Sequence, residues 1–266
     1  MTIIETNVRA SAVTRARRLL ETKFRSSDSA FLAEGPQAVR EAIRYGQVRG
    51  LFITQESADR YTDIVESALK RDISITLSSE EVVESLSSTV TPQGMVAVVT
   101  TSPHSLDDVF TEQASLVVAL AYVRDPGNAG SVIRVADAAG ASGVITTTES
   151  VDLYNPKVVR ASAGSHFHIP LVEEVEISTL IQTAHSRGFQ VFAADGSGDS
   201  FTSGVDLSQP TLWIFGNEAW GVPDEVLSQV DRVVSIPIYG QAESLNLATA
   251  TAVCLYASAF AQGSKN

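Results

Sequence analysis

Helical and strand patterns alternate along this chain of 266 residues, and that alternation constrains the fold more than any single motif. In the first hundred residues Ala30–Glu34, Gly50–Thr54, Ile73–Leu77 and Met95–Thr101 read as strands. Gly35-Pro36 opens a helix whose Val39, Ala42 and Ile43 share a face, and proline suits a first turn. Ser57–Lys70 spaces Tyr61, Ile64, Val65 and Leu69 as one helix. Ser78 with Glu81 fits a capping box for the next. Ser102-Pro103-His104-Ser105 marks a hinge. Beyond it, Leu116–Tyr122, Val144–Thr147, Phe189–Ala194, Thr211–Phe215 and Val233–Ile236 read as strands. Asn128–Ala139, Pro156–Ala163, Ile177–Arg187 and Ser244–Gln262 read as helices. Asp195–Gly204, rich in glycine and serine, is expected to be a mobile loop. The expected architecture is α/β in two domains, residues 1–103 and 106–266.

Several classes are disfavoured at once. No apolar run reaches the ~20 residues a bilayer requires, and Met1–Ala10 lacks a signal-type apolar stretch. A single cysteine, Cys254, excludes an intrachain disulfide and a cysteine-based zinc cluster. A cytoplasmic protein is expected. There is no Gly-x-Gly-x-x-Gly loop after a strand, no P-loop and no Gly-x-Ser-x-Gly elbow. His166 and His168 have no third ligand nearby, so they read as structural and no metal is expected.

The net charge of −12 argues against holding nucleic acid by bulk electrostatics. The charge is uneven, however. Met1–Arg25 holds Arg9, Arg15, Arg17, Arg18, Lys23 and Arg25 against Glu5 and Glu21, a net +4. On charge alone this is an ordinary solvated helix face, with a phosphate-contacting helix as the alternative.

Three segments carry chemistry. Asp125-Pro-Gly-Asn-Ala-Gly-Ser-Val-Ile-Arg134 follows a buried strand and enters a helix. Asn128 suits that helix's cap, and Arg134 borders its apolar face. Leu212-Trp-Ile-Phe-Gly-Asn-Glu218 runs an apolar strand into Gly216, where main-chain groups can meet a nucleoside; an Asx-type turn is the plain reading. Ile236-Pro-Ile-Tyr-Gly-Gln-Ala-Glu-Ser-Leu-Asn246 joins a short strand to the last helix. Ser244 is the expected N-cap there, and Asn246 is costly in a first turn unless its amide is used.

In this order and spacing the three segments resemble the three motifs of the SpoU/TrmH family of RNA ribose methyltransferases. Asn128 and Arg134 match the first, Gly216, Asn217, Glu218 and Gly221 the second, and Ile236-Pro237 with Ser244-Leu245-Asn246 the third. Ile238 stands where many members have methionine. Arg160-Ala-Ser-Ala-Gly-Ser165 is similar to the stretch before the family's middle strand. Leu32-Ala-Glu-Gly-Pro36 and Thr91-Pro-Gln-Gly-Met-Val96 resemble the ribosomal-protein-L30e-like substrate-binding domain that precedes the catalytic domain in rRNA-directed members.

The resemblance implies a parallel sheet tied in a deep trefoil knot and a homodimer. It implies S-adenosylmethionine as cofactor, held near Gly216, Asn217, Ile236, Ile238 and Leu245. The implied reaction is methyl transfer to a ribose 2′-hydroxyl of RNA, 23S rRNA before tRNA. Arg134 would reach the site from the partner subunit, with Asn128, Glu218, Ser244 and Asn246 orienting it or the ribose. The family assigns Arg134 as base. A guanidinium pKa above ~12 favours positioning of a phosphate or the 2′-oxygen instead. A non-catalytic RNA-binding or ribosome-assembly protein of the same fold is the alternative.

Overall fold

The computed structural model describes residues 4–201 and 204–263. The chain ends and two residues of the expected 195–204 loop lie outside the described residues. In chain order the elements are α1 (Ser11–Arg18), α2 (Thr22–Asp28), β1 (Ala30–Glu34), α3 (Pro36–Tyr45), β2 (Val48–Ile53), α4 (Gln55–Arg60), α5 (Thr62–Lys70), β3 (Ile75–Leu77), α6 (Glu80–Leu86) and β4 (Met95–Thr100). There follow α7 (Leu106–Val109), β5 (Leu116–Leu120), α8 (Pro126–Ala138), β6 (Val144–Thr147), α9 (Pro156–Ala161), β7 (Leu171–Val175), α10 (Ile177–Ser186), β8 (Gln190–Ser200), β9 (Thr211–Phe215), α11 (Asp224–Leu227), β10 (Arg232–Ser235) and α12 (Leu247–Gly263).

The chain divides into two compact units. The first comprises residues 1–102 with 152–168, and the second residues 103–151 with 169–266. Residues 152–168 thus belong to the first unit, although they lie beyond the 103–106 boundary read from the sequence. The reason is packing: Val159 is fully buried in the first unit's core, with Tyr154 and Phe167 against it. Apolar burial of this kind outweighs sequence proximity.

The first unit is a mixed sheet of order β1-β4-β2-β3, with only β2–β3 parallel. Alternation along its strands sends Phe31, Ala33, Leu51, Ile53 and Ala97 towards α3 and α5. It sends Ala30, Leu32, Phe52 and Val96 towards α1 and α6. The expected helix Ser57–Lys70 is two helices, broken at Tyr61 (φ −114°, ψ 56°). Ser79, not Ser78, caps α6 by accepting from the Val82 amide, while buried Ser78 donates to the Thr76 carbonyl. The two motif segments of this unit meet on paired strands. The Gly35 amide donates to the Met95 carbonyl at 3.1 Å, and buried Glu34 accepts from the Ser88 amide and hydroxyl. The basic N-terminal stretch forms two helices, and Arg25 is buried against Asp152 (Nε to Oδ2, 2.9 Å).

The second unit is a six-stranded parallel sheet, order β10-β8-β9-β5-β6-β7. Its central strands β5 and β9 are buried along their whole length, as a parallel sheet covered on both faces requires. α7, α10 and α11 pack one face through Val109, Leu180 and Val226. α8 and α12 cover the other, where Trp213 Nε1 donates to Ser258 Oγ at 2.9 Å. From β5 the chain runs outward through β6 to β7, then returns on the far side to β8 and β9. The order reverses beside β5 and β9, where an open α/β sheet leaves a crevice at its carboxyl ends. Residues 195–200, expected in a mobile loop, instead prolong β8, with Asp199 and Ser200 paired to Val234 and Ser235 of β10 across a register shift.

Candidate active site

The crevice is shaped first by the loop after β9. The Asn217 amide donates to the Gly221 carbonyl and the Gly221 amide to the Asn217 carbonyl, both at 2.9 Å. Asn217 is buried, and its side chain is used entirely within the fold. Nδ2 donates to the Tyr122 carbonyl (2.8 Å), and Oδ1 accepts from the Ala219 amide (2.9 Å). Gly216 is obligatory here, because a Cβ would stand 2.2 Å from the Gly221 carbonyl carbon and oxygen.

A polar relay then joins all three sequence segments. Asp125 caps α8 by accepting from the Asn128 amide at 2.7 Å. That corrects the reading of Asn128 as the cap and releases its side chain. Asn128 Nδ2 donates to Glu218 Oε1 (3.0 Å), and Asn128 Oδ1 accepts from Asn246 Nδ2 (3.0 Å). Asn246 Oδ1 in turn accepts from the Ala248 amide (2.9 Å) and the Thr249 amide (3.4 Å). Asn246, not Ser244, therefore heads α12, which starts at Leu247. The relay has one polarity: the carboxylate accepts, so Asn128 turns its NH2 to Glu218 and its oxygen to Asn246.

Beside the relay lies a cavity of about 360 Å3, within the ~300–1,000 Å3 usual for small-molecule sites. Gly216, Asn217, Glu218, Ile236, Ile238, Ser244 and Leu245 all line it. Asp195, expected from the sequence to lie in a loop, lines it too. Asp195 Oδ1 accepts from the Ser197 amide (2.9 Å) and hydroxyl (2.8 Å), while Oδ2 stands 3.5 Å from the Val222 amide nitrogen. Apolar walls, main-chain edges and the carboxylates Asp195, Glu218 and Glu243 suit a nucleoside that carries positive charge.

Arg134 stands apart. It is exposed on α8, and six residues from Asn128 place it about 120° away around the helix. Among the described residues it makes no ion pair or side-chain hydrogen bond. His166 and His168 lie in the first unit, against the Leu153 carbonyl and Glu41 respectively. Among the described residues no group of His, Cys, Asp and Glu is arranged to hold a metal ion, and no helix is long and apolar enough to cross a membrane.

Residues 115–256 match the family described as SpoU rRNA Methylase, and residues 32–105 match RNA 2′-O ribose methyltransferase substrate binding. The chain is 32% identical over 241 residues to the 23S rRNA (guanosine(2553)-2′-O)-methyltransferase RlmP of Bacillus subtilis, covering 90% of this chain and 92% of that protein. The crystal structure of the SpoU methyltransferase AviRb from Streptomyces viridochromogenes, in complex with the cofactor AdoMet, superposes with a TM-score of 0.86. It is 29% identical and covers 96% of this chain and 99% of that one. An AdoMet-bound rRNA methyltransferase from Sinorhizobium meliloti gives a TM-score of 0.82 at 31% identity, covering 97% of each chain.

Proposed function

Because this chain belongs to the SpoU rRNA methylase family, we propose that it methylates a ribose 2′-hydroxyl of 23S rRNA in the cytoplasm, using S-adenosylmethionine. We infer further that residues 1–103, joined in the fold by 152–168, act as an L30e-like substrate-binding domain, and that the catalytic domain lies within residues 106–266. In the latter, Gly216–Pro223 and Ile236–Asn246 are threaded as a deep trefoil knot. The observation that carries the reading is the relay from Asn246 through Asn128 to Glu218, beside a nucleoside-sized cavity.

The cofactor, when bound, supplies an electrophilic methyl group on a sulfonium. Gly216, Ile236, Ile238 and Leu245 hold its adenosine part through main-chain groups and apolar surface, and Asn217 fixes the loop that carries Gly216. Glu218, braced by Asn128 and Asn246, orients the ribose or the incoming arginine, with Ser244 at the cavity wall. The protein's task is alignment, since the cofactor brings the reactive group. Arg134 comes from a second copy of the chain. Always protonated, its donor fork positions a phosphate or the 2′-oxygen rather than accepting a proton. A homodimer is supported by α12, which leaves Val253, Tyr256 and Phe260 exposed at 41%, 38% and 70% along one side.

The test is incubation of the protein with tritiated S-adenosylmethionine and 23S rRNA from cells lacking the gene, followed by mapping of ribose methylation. One new 2′-O-methyl in 23S rRNA is expected. Cofactor binding without methyl transfer to any RNA would favour a non-catalytic ribosome-assembly role. Label in tRNA alone would move the substrate to tRNA.

A further inference from the structure

A second concavity lies in the first unit, between α1 and the strands β2 and β3. It measures about 730 Å3 and is lined by Arg15, Arg18 and Arg49, with Asp28 as its one acidic residue. Leu19 and Phe52 contribute an apolar floor. Neither matched family region assigns a role to α1, which precedes residue 32.

The three guanidiniums line one groove, and among the described residues none of them has a carboxylate partner. Arg25 is neutralised by Asp152 and Arg40 by Asp63. Arg49 is held rigidly, but only by uncharged acceptors: the Thr100 hydroxyl (2.9 Å) and the carbonyls of Asp28 (3.1 Å) and Ser29 (2.7 Å). Arg18 lies over the Phe24 ring, 3.8 Å from its centroid, again a neutral partner. Arg15 is exposed, and among the described residues it makes no ion pair. Three arginines without an ion pair therefore converge on one groove, against the single carboxylate of Asp28, in a chain of net charge −12. Two of them are already fixed in place, which lowers the ordering cost of a ligand.

We propose that this groove seats the phosphate backbone of the RNA substrate, with Arg15, Arg18 and Arg49 as phosphate-binding residues. The proposal rests on the rRNA reading above and extends it to a surface outside the active site. A protein this acidic has to hold a polyanion through local cationic surface rather than through its overall field. Planar guanidiniums match phosphate oxygens by paired donors.

The experiment is filter binding of the full-length protein to 23S rRNA transcribed in vitro, as a function of KCl concentration. Each phosphate contact contributes about 0.7–0.9 to the slope of log K against log salt. R15Q/R18Q is expected to flatten that slope by about 1.5 and to weaken binding at 0.1 M KCl. R15Q alone should give about half that flattening. R60Q/K70Q, which removes two exposed charges elsewhere on the unit, is expected to leave the slope within ~0.5 of wild type. Unchanged thermal unfolding and unchanged S-adenosylhomocysteine affinity will show that the variants are folded. A wild-type slope in R15Q/R18Q overturns the groove, as does equal flattening by R60Q/K70Q. Absence of RNA binding by the wild-type chain would instead overturn the rRNA reading itself.

Discussion

The side-chain amide of Asn246 donates to the side-chain oxygen of Asn128, 118 positions earlier, at 3.0 Å. Asn128 passes the polarity on to Glu218 at 3.0 Å. Three residues from three distant segments thus act as one unit, and the middle one is the place to break it. Asn128→Ala removes a hydrogen bond to a carboxylate, worth about 1–2 kcal/mol at this half-exposed position. Methyl transfer to 23S rRNA is expected to fall about tenfold or more, with S-adenosylhomocysteine affinity within about threefold of wild type. Asn128→Asp sets a second carboxylate against Glu218 and should be worse than alanine. Turnover by Asn128→Asp equal to wild type would remove the relay from the mechanism.

Gly216 offers a sharper test of the cofactor pocket. An added methyl meets main-chain atoms of Gly221 at 2.2 Å and the Val222 nitrogen at 2.4 Å, and main chain cannot rotate away as a side chain can. Gly216→Ala is therefore expected to displace the 216–222 loop and to weaken S-adenosylhomocysteine binding more than tenfold by calorimetry. The thermal midpoint should also drop by several degrees, as a ~1–3 kcal/mol overpacking cost implies. Unaltered affinity in a folded Gly216→Ala protein would mean that the cofactor does not use this loop.

Much of this framework is legible in the sequence, and the exceptions share a cause. Ala30–Glu34, Val144–Thr147 and Thr211–Phe215 are strands at the limits expected, because short runs of apolar and β-branched residues bounded by polar turns leave little choice. The three motif segments do meet, except that Arg134 stays apart within one chain. What the sequence conceals depends on partners far along the chain. Gly196–Ser200 has no apolar alternation, yet it prolongs β8, which β10 takes up again at Asp199 and Ser200. The break at Tyr61 involves neither glycine nor proline. Residues 152–168 join the first unit through Tyr154, Val159 and Phe167, whose apolar character does not say which core they enter. The caps at Asp125 and Asn246 displaced the expected Asn128 and Ser244, since all four side chains are good cappers and only geometry selects among them.

Asp195 divides its two oxygens between fold and cavity. Oδ1 is committed to Ser197, whereas Oδ2 has only a long approach from Val222. Asparagine preserves the first role and puts a donor where the second acceptor stood. If the cavity uses that acceptor for a donor group of the cofactor, Asp195→Asn and Asp195→Ala should both weaken S-adenosylhomocysteine binding about tenfold, the cost of one lost hydrogen bond. Full rescue by asparagine would confine Asp195 to bracing the turn.

Cys254 lies fully buried on α12, and burial pushes its thiol up to about 12. The thiolate is the reactive form, and burial makes it scarce near neutral pH. Iodoacetamide at pH 8 is expected to leave native protein unlabelled and to alkylate Cys254 fully in 6 M guanidinium. Rapid native labelling would show that the α12 packing opens in solution.

Arg134 and Asn128 lie about 120° apart around α8, so the two side chains leave the helix in different directions. If a second copy lends the arginine, Arg134→Ala and Asn246→Ala proteins are each impaired for opposite reasons: the first lends nothing, and the second has a broken relay. In a mixed dimer, the subunit with Asn246 intact receives Arg134 from the Asn246→Ala subunit, and one complete site is restored. Mixing the two impaired proteins under conditions that exchange subunits is expected to recover roughly a quarter of wild-type methyl transfer, from half the dimers carrying one site each. Arg134→Ala alone should stay below about 1% of wild type, a deficit of ~2.7 kcal/mol in transition-state stabilisation, and Asn246→Ala alone at or below about a tenth, both under the recovered level. Because a cis arrangement predicts no recovery at any mixing ratio, a flat mixing curve with demonstrated subunit exchange would return Arg134 to its own chain's site.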